Sequence, residues 1–192
     1  MDFSRVKVRP AVREDAEVIA RVVEMAIGDE EALRRYCGDD YHTVLTEIAR
    51  REATQYSWQC AIVAQVEGQV AGAVVGYDGA RLSDLRSGTL SVIMECVGRV
   101  PTIVDECDAD EYYLDSVGVL PEFRGLGVGR MLVSALCDRA FNEVSKPVGL
   151  IVDSQNPNAE SLYSSLGFER VDSRCFFGHS MWHMQRTKKI DR

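Results

Sequence analysis

Three glycines in five positions lie within residues 124–130, which read RGLGVGR. Glycine lets the backbone adopt a positive φ and come close to a ligand. The preceding stretch, residues 112–119, is rich in aromatic and branched residues and favours a strand, whereas the apolar residues at 131–140 recur at helical spacing. Free N–H groups and the helix dipole at such a helix start favour negative charge. The pattern therefore predicts a site for a phosphate-bearing ligand.

Two common phosphate-binding loops do not fit this stretch. A Walker A loop ends in Gly-Lys-Ser/Thr, whereas Gly129 is followed here by Arg130 and Met131. In a G-x-G-x-x-G dinucleotide fingerprint that starts at Gly125, the third glycine would fall at Arg130. The acidic residue expected about 20 residues later is also absent, because Asp153 comes too late. A glycine-rich turn without a ligand remains the alternative for the loop taken by itself.

A second stretch, residues 148–168, follows downstream. Its apolar start predicts a short strand, and a polar turn comes next. Asn156 and Pro157 then favour the start of a helix, since proline suits the first helical turn. Gly167 favours the end of that helix.

Together the two stretches resemble the GNAT superfamily of acyl-CoA N-acyltransferases. Residues 124–129 match the R/Q-x-x-G-x-G/A loop of that family, and residues 156–168 (NPNAESLYSSLGF) are similar to its N-x-x-A-x-x-L-Y-x-x-L-G-F motif. The clear resemblance covers about residues 110 to 172. It implies an α/β fold with a mixed central sheet of about six to seven strands, flanked by helices and splayed between the fourth and fifth strands. It also implies acetyl-CoA as the acyl donor.

The resemblance assigns roles to residues of both motifs. The glycine loop would hold the coenzyme A pyrophosphate, and the backbone of the fourth strand would bind the pantetheine arm in the splay. Gly118 suits a bulge or a close backbone approach in that strand, and an N–H from the strand would stabilise the oxyanion. The residues implied to bind the cofactor are Val117, Gly118, Val119, Arg124, Gly125, Leu126, Gly127, Val128, Gly129, Arg130, Asn156 and Tyr163.

Tyr163 is the candidate general acid. Its ordinary pKa of about 10 lies near that of an alkyl thiol, so proton transfer to the leaving thiolate is well matched. The alternative is a half-buried helix aromatic with no chemical role. Asn156 also has two interpretations, because it can hydrogen-bond the cofactor arm, cap its helix, or do both.

The general base is less clearly indicated. Some GNAT enzymes carry a glutamate on the fifth strand, where this sequence has Ile151. Asp115, on the fourth strand, is the best replacement by position, because a carboxylate in a largely buried strand needs a partner or a function. The alternative is a salt-bridged or surface aspartate. A water chain can also deprotonate the amine. The weaker candidates are Glu111, Asp78 and Asp153.

Composition limits the partners of this chain. Its 192 residues are 46% hydrophobic and 27% charged, which is typical of one globular domain. The net charge of −8 argues against non-specific nucleic-acid binding, which needs a basic face, and slightly favours a cationic substrate such as an amine. No run approaches about 18 apolar residues, so no membrane span is predicted.

Targeting signals and cysteine usage favour a cytoplasmic protein. The start of the chain, MDFSRVKVRP, lacks the apolar core of a signal peptide. Six cysteines are scattered without a C-x-x-C pair, and the three histidines are not grouped with them. We therefore expect reduced thiols, a cytoplasmic location and no metal site.

A single domain, residues 1–192, is predicted with the element order βααβββαβαββ. Glu67 and Gly68 are expected to form a hairpin turn, with glycine where a positive φ is needed. Strands are predicted at about residues 5–9, 58–66, 69–77, 112–119, 148–152, 168–172 and 176–185. Helices are predicted at about residues 12–27, 41–53 (capped by Asp39 and Asp40), 131–144 and 157–166, before a polar tail at 187–192.

Residues 78–110 form a probable insertion, since the third and fourth strands of GNAT proteins are often joined directly. Its apolar part, residues 90–97, predicts a helix or a covering segment, and its acidic part, residues 101–110, predicts a loop. Long ordered loops in compact domains usually have a function. Three roles are open: a roof over the acceptor site, a contact in a homodimer, or a cover for the core.

The sequence thus favours transfer of an acetyl group from acetyl-CoA to a primary amine by direct attack in a ternary complex, because neither motif contains a cysteine that could carry the acyl group. Two other functions stay open. A non-catalytic acyl-CoA sensor would bind coenzyme A without releasing a free thiol. A dinucleotide-binding oxidoreductase would bind NAD instead. The sequence does not name the acceptor amine.

Overall fold

The computed structural model describes residues 6–176 and 178–188. Within them, one seven-stranded sheet has the order β1-β2-β3-β4-β5-β7-β6. Its strands are β1 (Val6–Pro10), β2 (Ala61–Val66), β3 (Gln69–Asp78), β4 (Tyr112–Val119), β5 (Val148–Asp153), β6 (Glu169–Phe176) and β7 (His179–Arg186). The helices are α1 (Ala16–Ile27), α2 (Glu30–Cys37), α3 (Tyr41–Arg50), α4 (Leu82–Val97), α5 (Val128–Arg139) and α6 (Pro157–Ser165). The mixed α/β sheet flanked by helices is confirmed.

The sheet opens between its two central strands. All neighbouring strands are antiparallel except β4 and β5, which pair in parallel at Tyr112 with Val148 and at Tyr113 with Gly149. Beyond that point β5 pairs along its whole length with β7, while β4 continues to Val119 without a partner on that side. The predicted splay is therefore present, and it leaves unpaired backbone groups along one edge of β4.

Two apolar layers cover the two faces of the sheet. Helices α1 to α4 lie on one face, called the α1 face below, and α5 lies on the other. The first layer includes Ile19, Leu45, Ile48, Leu85 and Ile93. The second includes Leu132, Leu136, Leu150, Phe168 and Met184. Of the helices in the described residues, none combines the length and the apolarity that a membrane span requires.

The local turn predictions agree with the backbone. Glu67 and Gly68 have φ values of 52° and 85°, which is the pairing of positive angles that a two-residue hairpin needs. Gly28, with a φ of 69°, ends α1 at Ile27. Ser145 ends a π-helical turn that extends α5 over residues 140–144, so this helix ends where the sequence indicated. Of the predicted polar tail, residues 189–192 lie outside the described residues.

Helix α2 was not predicted, because Glu30–Cys37 is strongly polar and only Leu33 and Cys37 are buried. Its start has a local cause: the Asp29 carboxylate accepts a hydrogen bond from the Ala32 N–H at 2.6 Å. The expected cap of the following helix differs, since Asp40 occupies the N-cap position but makes no side-chain capping hydrogen bond. That helix ends at Arg50, and the predicted strand from residue 58 begins only at Ala61.

The insertion at residues 78–110 contains a full helix, α4, which starts eight residues before the apolar part that indicated it. The buried side chains of α4 join the core beside α1 and α3. Gly88 lies so close to the preceding loop that a Cβ there would be 2.2 Å from the Ala53 carbonyl oxygen. Arg86 on α4 contacts Asp105 and so ties the irregular stretch after the helix back to it. Of the three open roles, covering the core is seen, and the homodimer contact stays a prediction.

A buried polar network fixes the start of β4. Glu111 and His183 have exposed fractions of 0% and 1%, and His183 Nε2 lies 2.8 Å from Glu111 Oε2. Gln185 donates to the same oxygen at 2.8 Å, and the Asp108 N–H donates to Oε1 at 3.1 Å. A Cβ at Gly149 would collide with this carboxylate, so only glycine fits beside it. The network joins the insertion to β5 and β7 at the closed end of the splay.

Replacing Glu111 with alanine is expected to lower the free energy of unfolding by about 3–5 kcal/mol, because the buried partners lose their shared acceptor.

Burial acts to raise the pKa of Glu111, but the hydrogen bonds outweigh it and hold that pKa below its ordinary value of 4.5. The stabilisation is therefore present above pH 4.5 and is lost as the pH falls through the lower folded-state value. Urea unfolding at several pH values checks both points. If the free energy of unfolding of a Glu111→Gln variant falls as steeply in acid as that of the parent, protonation of Glu111 is not the cause of the loss.

Candidate active site

The glycine loop has the backbone that the sequence indicated. After a 3₁₀ turn at Pro121–Phe123, both Gly125 and Gly127 adopt a φ of 78°. Gly127 is the N-cap of α5, and the side chain of Val128 is buried beneath it. Positive φ is the reason for glycine at these two positions, since a Cβ on Gly125 would meet nothing within 4 Å. Val128 thus anchors the loop to the core, and the space next to Gly125 is open.

Backbone donors converge at this loop. In the described part of the chain, none of the N–H groups of residues 125–130 donates a hydrogen bond. The next N–H, that of Met131, already donates to the Gly127 carbonyl oxygen at 3.2 Å. Unpaired donors at the positive end of a helix dipole are suited to an anion such as a pyrophosphate.

Two arginines flank the loop, and both are exposed. Arg124 Nε donates to the Val119 carbonyl oxygen at 3.3 Å. Arg130 Nη2 donates to Ser165 Oγ at 2.8 Å and so links the start of α5 to the end of α6. Each guanidinium keeps further N–H donors for an anion at the loop.

The fourth strand contains a bulge, but it lies before the predicted glycine. Ser116 pairs with Val75 and Leu114 pairs with Gly76, which leaves Asp115 as the extra residue on β4. Gly118 instead provides a close approach to α1, since a Cβ there would be 3.1 Å from Met25 and 3.3 Å from Val22. Asp115 faces the same side of the sheet as Tyr113, where the Tyr77 hydroxyl meets it.

Tyr163 and Asn156 lie on α6, as the second motif predicts. The Tyr163 ring packs edge-to-face on Phe168 with centroids 5.8 Å apart, and its hydroxyl has no hydrogen-bond partner among the described residues. Burial raises the pKa of Tyr163 to about 12, so the phenol is protonated at neutral pH, as a general acid must be. Asn156 Oδ1 caps the helix by accepting from the Ala159 N–H at 3.1 Å, and its amide N–H groups donate to no acceptor among the described residues.

Asp115 is partly buried and hydrogen-bonded at both oxygens. The Tyr77 hydroxyl donates to Oδ2 at 2.9 Å, and Ser116 Oγ donates to Oδ1 at 2.8 Å. Burial raises the pKa of Asp115, against the opposing effect of these two hydrogen bonds. A carboxylate with a raised pKa on the strand that borders the splay is a reasonable proton acceptor.

The other base candidates are engaged elsewhere. Glu111 belongs to the buried network with His183. Asp78 accepts a hydrogen bond from the Ala80 N–H and pairs with Lys146 at 2.5 Å. Asp153 accepts from the Gln155 N–H at 2.8 Å, in the turn before α6. Ile151, at the position of the glutamate in some relatives, pairs with His183 of β7.

Sequence reasoning did not single out two residues beside Asp115. Gln55, from the loop after α3, donates to the Tyr77 hydroxyl at 3.1 Å and lies 3.5 Å from Glu106, from the irregular stretch after α4. The acidic segment at residues 105–111 includes Glu106 and, together with Asp115, favours a cationic substrate. No sequence pattern pointed to Gln55, because its proximity depends on how α4 packs against α3.

Three potential metal ligands also come together, on Asp108, Glu111 and His183, with ligand atoms within 4.8 Å of one another. The Arg174 guanidinium already supplies a cation there: its Nη2 lies 2.5 Å from Asp108 Oδ2 and 2.9 Å from His183 Nδ1. The geometry therefore fits a network of structural hydrogen bonds.

A family model described as the acetyltransferase (GNAT) family matches residues 29–168. The chain belongs to this family. The match begins well before the two motifs and includes α2, α3 and α4, but not α1.

Named relatives match shorter parts of the chain. N-alpha-acetyltransferase RimI of Mycobacterium tuberculosis is 42% identical over 33% of this chain and 39% of its own length. A mycothiol acetyltransferase of Kocuria rhizophila is 47% identical over 29% of this chain and 18% of its own length. An uncharacterised Mycobacterium leprae protein is 36% identical over 51% of this chain. This chain thus aligns with less than half the length of each of these three curated relatives.

Solved structures match almost the whole chain. A crystal structure titled as an acetyltransferase is 31% identical, with a TM-score of 0.81, and the alignment covers 94% of this chain and 98% of that one. An N-acetyltransferase from Staphylococcus aureus Mu50 has a TM-score of 0.80 at 24% identity, over 93% and 99% of the two chains. The second comparison bears on the fold alone.

Proposed function

We propose that this chain is an N-acetyltransferase that transfers an acetyl group from acetyl-CoA to a primary amine by direct attack in a ternary complex. One observation carries the proposal: N–H groups at the start of α5, which have no acceptor among the described residues, lie next to the open edge of β4. An anion-binding helix start beside a strand with free backbone groups suits a ligand with a pyrophosphate and an extended amide arm. Acetyl-CoA has both, and members of the GNAT family generally use it as the acyl donor.

The donor would be held mainly by backbone groups. The N–H groups of residues 125–130 would bind the pyrophosphate, and Arg124 and Arg130 would add charge. The backbone of Val117 and Val119 would pair with the pantetheine arm in place of the missing β5 contact. The Asn156 amide N–H groups, which take no part in its capping bond, would donate to the same arm.

The transfer would need two protons to move. The amine nitrogen attacks the thioester carbonyl carbon, and an N–H of β4 stabilises the oxyanion. The carbon–sulfur bond then breaks, and the Tyr163 hydroxyl gives its proton to the thiolate. Asp115 accepts the proton that the amine loses. Neither motif contains a cysteine, which favours direct attack over an acyl-enzyme.

A turnover screen with acetyl-CoA and a panel of amines, with mass detection of products, tests this function. An acyl-CoA sensor would bind coenzyme A but release no free thiol with any amine. The oxidoreductase alternative loses its basis in the fold, since the sheet is mostly antiparallel and not the parallel doubly wound sheet of dinucleotide-binding domains.

Changing Asp115 to asparagine is expected to lower kcat by about 10²-fold or more, because a general base is typically worth about 10²–10⁴-fold. Affinity for acetyl-CoA should stay nearly unchanged. The parent's rate should rise as the pH passes the raised pKa of Asp115, and the variant should lack that rise. Asp110→Asn, on an exposed part of the insertion, is the matched control. Equal turnover of Asp115→Asn and parent from about pH 6 to 9 would remove Asp115 from the mechanism.

A further inference from the structure

Hydrogen-bond acceptors from three distant segments meet on the α1 face of the sheet. Asp115 comes from the β4 bulge, Glu106 from the stretch after α4, and Gln55 from the loop after α3. Gln55 Nε2 donates to the Tyr77 hydroxyl at 3.1 Å and lies 3.5 Å from Glu106 Oε1. The Tyr77 hydroxyl in turn donates to Asp115 at 2.9 Å. Tyr77 therefore joins the three groups into one cluster.

One acceptor atom in this cluster is unpaired. Gln55 is 1% exposed, and its Oε1 is buried without a hydrogen-bond partner among the described residues. The amide orientation follows from its neighbour: the single Tyr77 hydroxyl hydrogen goes to Asp115, so the tyrosine oxygen needs the Nε2 donor. Buried acceptors are nearly always paired, so an unpaired one next to carboxylates points to a ligand that donates hydrogen bonds.

Among the described residues, the two carboxylates of the cluster have a cation nearby, Arg86, but no ion-pair partner. In the described residues, neither Asp115 nor Glu106 forms an ion pair with a lysine or arginine. Arg86 acts on both carboxylates through space. Its terminal nitrogens bond to Asp105 and to the Val104 carbonyl oxygen, while its Nε is buried without a hydrogen-bond partner among the described residues. Burial raises the pKa of Glu106, and the nearby charge of Asp115 raises it further. A bound positive charge would stabilise the ionised forms of these two partly buried carboxylates.

Aromatic side chains surround the two carboxylates. The rings of Tyr77 and Tyr113 are 5.9 Å apart, and those of Tyr36 and Tyr56 are 6.5 Å apart. The charges of Asp115 and Glu106 act on all four hydroxyl groups. Tyrosine rings suit both a cation and the methylene groups attached to it.

We propose that Asp115, Glu106 and Gln55 Oε1 bind the ammonium head of the acceptor, one acceptor group for each of its three N–H donors. The attacking species is the neutral amine, so the bound ammonium first loses one proton to solvent water, and Asp115 accepts the second proton during the attack. The acceptor is therefore a primary alkylammonium ion whose neighbouring carbon atoms are uncharged. This inference rests on the proposed acetyl transfer and makes Glu106 and Gln55 specificity residues for it. An aromatic amine, which is neutral at physiological pH, or a quaternary ammonium, which has no N–H, does not satisfy this site.

The insertion builds the site. Its stretch after α4 supplies Glu106, and α4 positions Gln55, because Thr89 Oγ1 accepts a hydrogen bond from the Gln55 N–H at 2.9 Å. The close approach of Gly88 to Ala53 holds the loop with Gln55 against α4. Glu106 and Gln55 are therefore the residues through which the insertion would act at the acceptor site.

Steady-state kinetics with n-propylamine, n-pentylamine and n-hexylamine test the proposal. Glu106→Gln and Gln55→Met should each lower kcat/KM for the best of these amines by about 10- to 100-fold, the range for a lost hydrogen bond to a charged group. The KM for acetyl-CoA should stay within about twofold. Asp110→Asn, exposed on the same insertion, should behave like the parent. Unchanged amine kcat/KM in both test variants would overturn the inference.

A binding experiment gives a readout that needs neither turnover nor a variant. Calorimetry with coenzyme A present compares n-pentylammonium with n-pentyltrimethylammonium, which keeps the charge but has no N–H donor. The primary ion should bind at least about tenfold more tightly, the loss expected when donors to charged groups are removed. Equal or tighter binding of the trimethyl ion would show an aromatic cage and overturn the three-acceptor site.

The two experiments separate this inference from the proposed function. A parent protein that acetylates none of the amines but binds n-pentylammonium selectively would contradict the acetyltransferase proposal and support the ammonium site. If the parent acetylates the amines and the Glu106→Gln and Gln55→Met variants do so with the same kcat/KM, the result would support the proposed function and contradict the ammonium site.

Discussion

Tyr163→Phe is expected to reduce kcat by about 10²–10⁴-fold, the usual contribution of a general acid. The substitution removes a hydroxyl that has no hydrogen-bond partner among the described residues and keeps the ring that packs on Phe168. Folding stability should therefore change little. The KM for acetyl-CoA should also change little, because the lost interaction belongs to the transition state. Single-turnover kinetics with acetyl-CoA and the best amine measure the effect.

The pH profile adds a second criterion. Burial raises the pKa of Tyr163 to about 12, so the parent's kcat should stay level through about pH 10, where an ordinary phenol is already half ionised. Tyr41→Phe, at the start of α3, is the matched control and should keep the parent rate. A folded Tyr163→Phe enzyme within about twofold of the parent rate, with chemistry rate-limiting, would mean that Tyr163 is not the acid.

Gly127→Glu is expected to abolish measurable binding of acetyl-CoA. The residue has a φ of 78° at the N-cap of α5, where a side chain strains the backbone. It also places a negative charge among the N–H groups that would bind the pyrophosphate. Charge-assisted hydrogen bonds are the stronger class in proteins, so we expect Kd to rise at least about 100-fold, a loss of two or more such bonds. Isothermal titration calorimetry measures it.

Gly68→Glu separates the two effects of that substitution. Gly68 has a similar φ of 85°, and a Cβ there would meet nothing within 4 Å, but it lies in the β2–β3 hairpin turn. It carries the same backbone strain and the same added charge away from the glycine loop. A folded Gly127→Glu protein that binds acetyl-CoA as tightly as Gly68→Glu does would rule out the loop as the pyrophosphate site.

The sequence by itself determined the features that depend on a few neighbouring residues. The positive φ of Gly125 and Gly127, the hairpin turn at residues 67–68 and the capped start of α6 at Asn156 all follow from local backbone and capping rules. Local rules of this kind hold wherever the segment lies in the fold. The glycine loop and the α6 motif could thus be located, and their order along the chain indicated the family.

Only the tertiary structure decided which distant side chains meet. The bulge at Asp115 depends on the register between β3 and β4, and a shift of one residue would turn side chains to the opposite face. Gln55 and Glu106 are 51 residues apart in the chain and meet because α4 packs beside the loop after α3. His183 and Glu111, 72 residues apart, meet through the pairing of β5 with β7. Such contacts follow from strand register and helix packing, which depend on the whole chain and not on the spacing of residues within a motif.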